Sequence, residues 1–251
     1  MENSKSLNIA PSNPSPYSIV GKTGIGLVVG LMISFFIFVM LMIFSGMFEE
    51  TIQGSISGGG GNPLLSLVML VIAFVGTMVG NSIITMVYNM IFGEKYYDLG
   101  KMLGLGSIIN VILFFIAAPI YILFFDNIEA VFFILAFHIF FSVFITLSVI
   151  EFSTNPNYSG VHIVGTTIAF SLSLLLFSAV YKNINLTAGE GTEFLLTLPS
   201  ILTYTLTPLI HGLWEKLYYK FYEMGNNFLY IPSIEEVLVE ETEADEINVE
   251  N

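Results

Sequence analysis

The chain has 251 residues, of which 55% are hydrophobic and only 11% are charged, and its mean hydropathy is +0.81. Because soluble domains carry about a quarter charged residues, this composition excludes a water-soluble globular fold. The formal net charge is −13 and the seven basic residues are all lysines, so no surface for nucleic acid is expected. The absence of cysteine excludes disulfides, thiolate metal sites and iron–sulfur clusters.

The first segment, residues 1–23, is rich in Ser, Asn and Pro and is predicted to be a disordered cytoplasmic leader. Its end, Gly21-Lys22-Thr23, matches the last residues of a Walker A loop. Pro16 stands where that motif needs its first glycine, so no phosphate site is expected there.

Six continuous apolar runs follow, each long enough to cross about 30 Å of hydrocarbon as a helix. None has a charged residue in its central part, and none alternates between apolar and polar residues as barrel strands do. The predicted fold is therefore all-α, a polytopic transmembrane bundle formed by residues 24–213. The predicted spans are Gly24–Phe48, Pro63–Phe92, Met102–Phe125, Ala130–Phe152, Val161–Tyr181 and Phe194–Leu213.

The lysines predict the orientation, because basic residues are retained on the cytoplasmic side of a membrane. With six spans, one side holds six lysines and the other holds only Lys182. The six are Lys5, Lys22, Lys95, Lys101, Lys216 and Lys220. We therefore expect both termini in the cytoplasm. The protein is expected to be an integral protein of the plasma or inner membrane that contacts the lipid bilayer.

Pairs of glycines four residues apart recur in the spans, and such pairs let helix backbones approach closely. They are predicted to be packing faces, either within one subunit or between this chain and another membrane protein, including a second copy. The pairs are Gly26 and Gly30, Gly76 and Gly80, and Gly100 and Gly104.

Polar residues inside the spans are the candidates for function. Asn81, Asn89 and Asn110 are predicted to form interhelical hydrogen bonds, with a substrate-facing polar site as the alternative. Pro199 interrupts the sixth span and can kink it, a device that transporters use near the midplane, whereas Pro208 is predicted to lie near the helix end.

The three histidines are the only candidate proton or metal groups near the membrane. His138 is predicted to form a structural hydrogen bond with a neighbouring helix, and a proton relay is the alternative. His162, His211 and Glu151 can converge at the inner surface as a metal or haem-like site, although no two histidines have the spacing of a helical metal site. Without central acids in the spans, we expect no catalytic residue, no metal and no cofactor, and a protein that is not an enzyme.

The C-terminal part divides into two segments. Residues 214–232 alternate aromatic and charged residues, which predicts a short interfacial amphipathic helix ended by Gly225. Residues 233–251 form an acidic cytoplasmic tail with eight acids between Glu235 and Glu250 and interleaved apolar residues. Two interpretations are open: the tail folds against a basic groove of a cytoplasmic partner, or it stays free because anionic lipids repel it.

The stretch Ile91–Ile122 resembles the central region of the Yip1-like polytopic membrane family. The residues that carry the resemblance are Gly93, Tyr96, Tyr97, Gly104, Gly106 and Pro119. The resemblance implies a helical bundle behind a polar cytoplasmic leader and a non-enzymatic membrane factor of the kind that helps to organise membrane traffic. It implies no catalytic residue.

Two function classes remain. A membrane assembly, scaffolding or trafficking-type factor is favoured by the small-residue faces and by two soluble ends on one side of the membrane. A small-solute or ion transporter is the alternative, favoured by the proline in the sixth span and by the polar residues within spans. Against the transporter, the spans lack the intramembrane carboxylates that ion-coupled carriers commonly use.

Overall fold

The computed structural model describes residues 11–47, 63–92, 99–154, 159–183 and 192–228. These residues form six long α-helices, each apolar and long enough to cross a membrane. The helices are α1 (Pro16–Ile43), α2 (Pro63–Phe92), α3 (Leu99–Leu123), α4 (Ile128–Thr154), α5 (Ser159–Tyr181) and α6 (Thr192–Phe228). The predicted all-α bundle of six spans is confirmed, and the chain is a multi-pass membrane protein.

Helix α1 begins inside the segment that was predicted to be a disordered leader. The Ser15 side chain caps it by accepting a hydrogen bond from the Ser18 backbone N–H at 3.1 Å, and Pro16 occupies the first helical turn. Serine followed by proline is a common helix start, because proline lacks the N–H that the first turn leaves unbonded. Lys22 therefore lies on the helix, and residues 1–10 lie outside the described residues.

Helix α6 is longer than predicted. The sixth span and the amphipathic segment are one continuous helix that passes Leu213 and Gly225 and ends at Phe228. Pro199 and Pro208 both lie inside it, so Pro208 is not near a helix end. Because Pro208 has no N–H, the carbonyl of Tyr204 cannot receive its usual helical hydrogen bond. The acidic tail, residues 233–251, lies outside the described residues.

Helix α1 packs most extensively against α6, and two glycines make this possible. A Cβ at Gly26 would overlap the Tyr204 carbonyl oxygen and lie 3.2 Å from Pro208 Cγ. A Cβ at Gly30 would lie 3.0 Å from the Ser200 carbonyl oxygen. The carbonyl that Pro208 leaves unbonded thus lies against the bare backbone of Gly26.

The second glycine pair also packs inside the chain. A Cβ at Gly76 would lie 3.3 Å from Ile33 of α1, and a Cβ at Gly80 would lie 2.6 Å from Cζ of the Tyr204 ring. The third pair differs, because a Cβ at Gly104 would meet nothing within 4 Å. Two of the predicted packing faces are therefore used within the subunit.

The core lies between α1, α2, α4 and α6, where side chains such as Ile37, Met69, Leu135 and Tyr204 are almost fully buried. Helix α3 contributes only Tyr121 to the buried members of this core, and α5 contributes none among the described residues. Only 22% of the apolar stretch of α3 and 28% of that of α5 are buried, against 56% for α4. Most residues in these two apolar stretches are therefore not buried within the described structure.

Candidate functional site

A buried polar network joins four helices in the middle of the bundle. The amide nitrogen of Asn81 (α2) donates to Ser142 Oγ at 3.3 Å and to Thr146 Oγ1 at 3.2 Å, both on α4. Its carbonyl oxygen accepts from the Tyr204 hydroxyl of α6 at 3.1 Å. Asn110 of α3 accepts a short hydrogen bond from Ser142. Asn81 and Asn110 therefore form interhelical hydrogen bonds, as the sequence predicts.

His138 lies in a different environment. It borders an apolar cleft of about 200 Å³ between α3 and α4, next to Phe137 and Phe141. Neither of its ring nitrogens has a hydrogen-bond partner among the described residues, nor has the nearby Tyr121 hydroxyl. The two rings pack edge to face with their centroids 6.1 Å apart. The predicted structural hydrogen bond of His138 is therefore not formed within the described part of the chain.

Two histidines and a glutamate converge at the end of the bundle that contains Lys22. His162 Nδ1, at the start of α5, lies 2.9 Å from His211 Nε2 of α6. The same nitrogen lies 3.4 Å from Glu215 Oε1, and His211 Nδ1 lies 3.6 Å from Glu215 Oε2. One donor atom from each residue lies within 4.8 Å of the others.

This cluster is buried, with side-chain exposures of 5% for His162, 15% for His211 and 9% for Glu215. A buried carboxylate is costly unless charged or hydrogen-bonding groups surround it. Next to the cluster is a cavity of about 60 Å³, which Lys22 and Thr207 also line. The Lys22 ammonium lies 5.7 Å from the centre of the Tyr88 ring.

Local contacts hold α5 against α6 at this point. The Trp214 indole N–H donates to the Val161 carbonyl at 2.9 Å. The Thr166 hydroxyl donates a hydrogen bond to the His162 carbonyl at 3.0 Å, and it lies 2.8 Å from the Ser148 hydroxyl of α4, with which it also forms a hydrogen bond. Gly165 lets the helices approach, because a Cβ there would lie 3.1 Å from His211 Cδ2.

The structure thus brings together two of the three residues that the sequence placed at a metal or haem-like site. The side chain of Glu151 lies outside the described part of the structure, and Glu215 occupies the third position. Sequence reasoning missed Glu215 because it compared the spacing of histidines only. The signal was present, since His211 and Glu215 are four residues apart and share one face of a helix.

No protein-family model, curated protein or solved structure matches this chain.

Proposed function

We propose that this protein is a non-enzymatic membrane assembly or scaffolding factor that binds another transmembrane helix through one face of α3. The observation that carries this proposal is the open small-residue surface at Gly104, on the least buried of the six spans.

The contacts of the glycine pairs support this assignment. Gly26, Gly30, Gly76 and Gly80 all pack against other helices of the same chain, whereas a Cβ at Gly104 would meet nothing within 4 Å. In a bilayer no hydrophobic effect drives helices together, so association depends on close packing and interhelical hydrogen bonds, and small residues let backbones approach closely. A glycine face left open therefore suits an intermolecular helix contact.

The exposed face continues along α3. Gly100, Gly104 and Ile108 are spaced by four residues and all are exposed, and Val111 and Phe115 continue the same stripe at helical spacing. Phe115 is 70% exposed, so a large side chain follows the small ones. A notch of glycines beside protruding aliphatic and aromatic groups is a shape that a second helix can fill.

The alternative, a small-solute or ion transporter, gains less support. The interior amides that suggested it are engaged in interhelical hydrogen bonds, since Asn81 bonds Ser142, Thr146 and Tyr204. Groups that are saturated by interhelical hydrogen bonds are poorly suited to exchange partners with a passing solute.

The proposed orientation places Lys22 and the His–Glu cluster at the cytoplasmic end, with both termini in the cytoplasm, in the plasma or inner membrane. It rests on the distribution of lysines, six on one side and one on the other. In this orientation the acidic tail is available to a cytoplasmic partner, and the resemblance to the Yip1-like family suggests a trafficking-type role.

The test is photo-crosslinking in native membranes from a reactive residue placed at Ile108. We expect a discrete protein adduct, reduced at least tenfold by Gly104→Leu, because leucine fills the notch. Gly24→Leu is the matched control, since Gly24 on α1 also has nothing within 4 Å but lies off the proposed face. Adducts to lipid alone, or an adduct that Gly104→Leu leaves unchanged, would refute the proposal.

A further inference from the structure

We propose that His162, His211 and Glu215 form a binding site for one divalent transition-metal ion of the zinc class. The site lies at the Lys22 end of the bundle, between α5 and α6. This inference does not depend on the proposed scaffolding function, because it uses other residues on other helices.

The distances between the three side chains fit a single ion. Zinc binds histidine nitrogen and carboxylate oxygen at about 2.0–2.2 Å, which sets ligand atoms of a tetrahedral site about 3.4 Å apart. His162 Nδ1 lies 2.9 Å from His211 Nε2 and 3.4 Å from Glu215 Oε1. A shift of about half an ångström brings the imidazole pair to the tetrahedral separation. One donor atom of each of the three residues lies within 4.8 Å of the others, so side-chain adjustment can place all three around one ion.

The chemistry of the donors selects the class of ion. Imidazole nitrogen suits zinc and neighbouring transition metals, whereas magnesium and calcium prefer oxygen ligands alone. Two histidines with one glutamate are a ligand set found in zinc sites that keep a position open. The described structure leaves room for that position, because the cavity of about 60 Å³ beside His211 and Glu215 exceeds the roughly 10–15 Å³ that a cavity needs to hold one water molecule.

A substitution of Lys22 tests the proposal, because it is expected to strengthen metal binding rather than weaken it. Its side chain lines the same cavity as His211 and Glu215, so its positive charge opposes a cation bound there. Lys22→Met is therefore expected to tighten metal binding several-fold. If the cluster were only a network of charged and hydrogen-bonded side chains, the same substitution would confer no metal binding.

The decisive experiment uses the full chain, purified in detergent and freed of metal with a chelator. Zn²⁺ is titrated by calorimetry, and Co²⁺ is added separately to observe the visible absorption that it shows with nitrogen ligands. We expect one ion per chain. Glu215→Gln and His162→Asn should each weaken binding at least tenfold, since each removes one ligand.

Two controls separate this site from other metal-binding groups. His138→Asn removes a buried histidine that lies at the cleft between α3 and α4, outside the cluster, and should leave the affinity unchanged. Truncation after Pro232 removes the eight acids of the tail and should also leave one ion per chain bound.

Three results would overturn the proposal. They are an intact chain that binds no Zn²⁺ and gives no Co²⁺ spectrum, a Glu215→Gln variant that binds as tightly as the intact chain, and binding that disappears with the tail. The first decides the matter even if the variants fail to fold, because it requires no substitution.

Discussion

Gly26→Ala is the substitution whose effect follows most directly from the structure. The added methyl group would overlap the Tyr204 carbonyl oxygen and lie 3.0 Å from the Tyr204 carbonyl carbon. Both atoms belong to the backbone of α6, so no side-chain rotation can relieve the clash. Helices α1 and α6 must separate, and this is the most extensive helix pair of the bundle.

The magnitude follows from the loss of contact along that pair. A gap of 0.5–1 Å costs a quarter to a half of the attraction between facing atoms, and overpacking of this kind typically costs about 1–3 kcal/mol. Replacing glycine by alanine also stabilises a helix by up to about 1 kcal/mol, because alanine has the higher helix propensity. Gly24→Ala isolates that gain, because nothing lies within 4 Å of its Cβ position. The helix-propensity gain is the same in both variants, so we expect Gly26→Ala to be about 1–3 kcal/mol less stable than Gly24→Ala.

The assay is reversible unfolding in detergent micelles, with both variants and the intact chain measured under the same conditions. Gly30→Ala should fall between the two, since its Cβ would lie 3.0 Å from the Ser200 carbonyl oxygen without overlapping it. Equal stabilities for Gly26→Ala and Gly24→Ala, within about 0.5 kcal/mol, would show that α1 and α6 do not pack through this contact.

Three further predictions use simple measurements. Asn81→Ala should lower the free energy of unfolding by about 1–2 kcal/mol, because it leaves the Tyr204 hydroxyl without one acceptor; no change would show that the network adds nothing to stability. His138→Phe should leave stability unchanged or raise it, since the imidazole nitrogens have no partner among the described residues; a loss above about 1 kcal/mol would reveal a partner. A single cysteine at Ser57, introduced into this cysteine-free chain, should react with a membrane-impermeant maleimide from outside the cell; labelling from the cytoplasm alone would reverse the proposed orientation.

Hydropathy alone determined the class of the protein and the number of its spans. Each span is a local run of apolar residues, and the need to satisfy every backbone hydrogen bond within lipid leaves a helix as its stable form. The glycine pairs were also visible as packing faces. Ser15 and Pro16 form a common helix start, so the beginning of α1 could have been predicted. The polar composition of residues 1–23 instead led to the prediction of a disordered leader.

The tertiary structure decided which of these features face one another. The spans are apolar on all sides, so their sequences do not show which face meets protein and which meets lipid. Only the packing reveals that Gly26 lies against Tyr204 while Gly104 stays open. In the same way, the packing places Glu215 beside His162 and leaves the His138 ring nitrogens without a hydrogen-bond partner in the described structure. Residues distant in sequence meet only when helices pack, and the shapes of whole helix surfaces, rather than any local pattern, determine that packing.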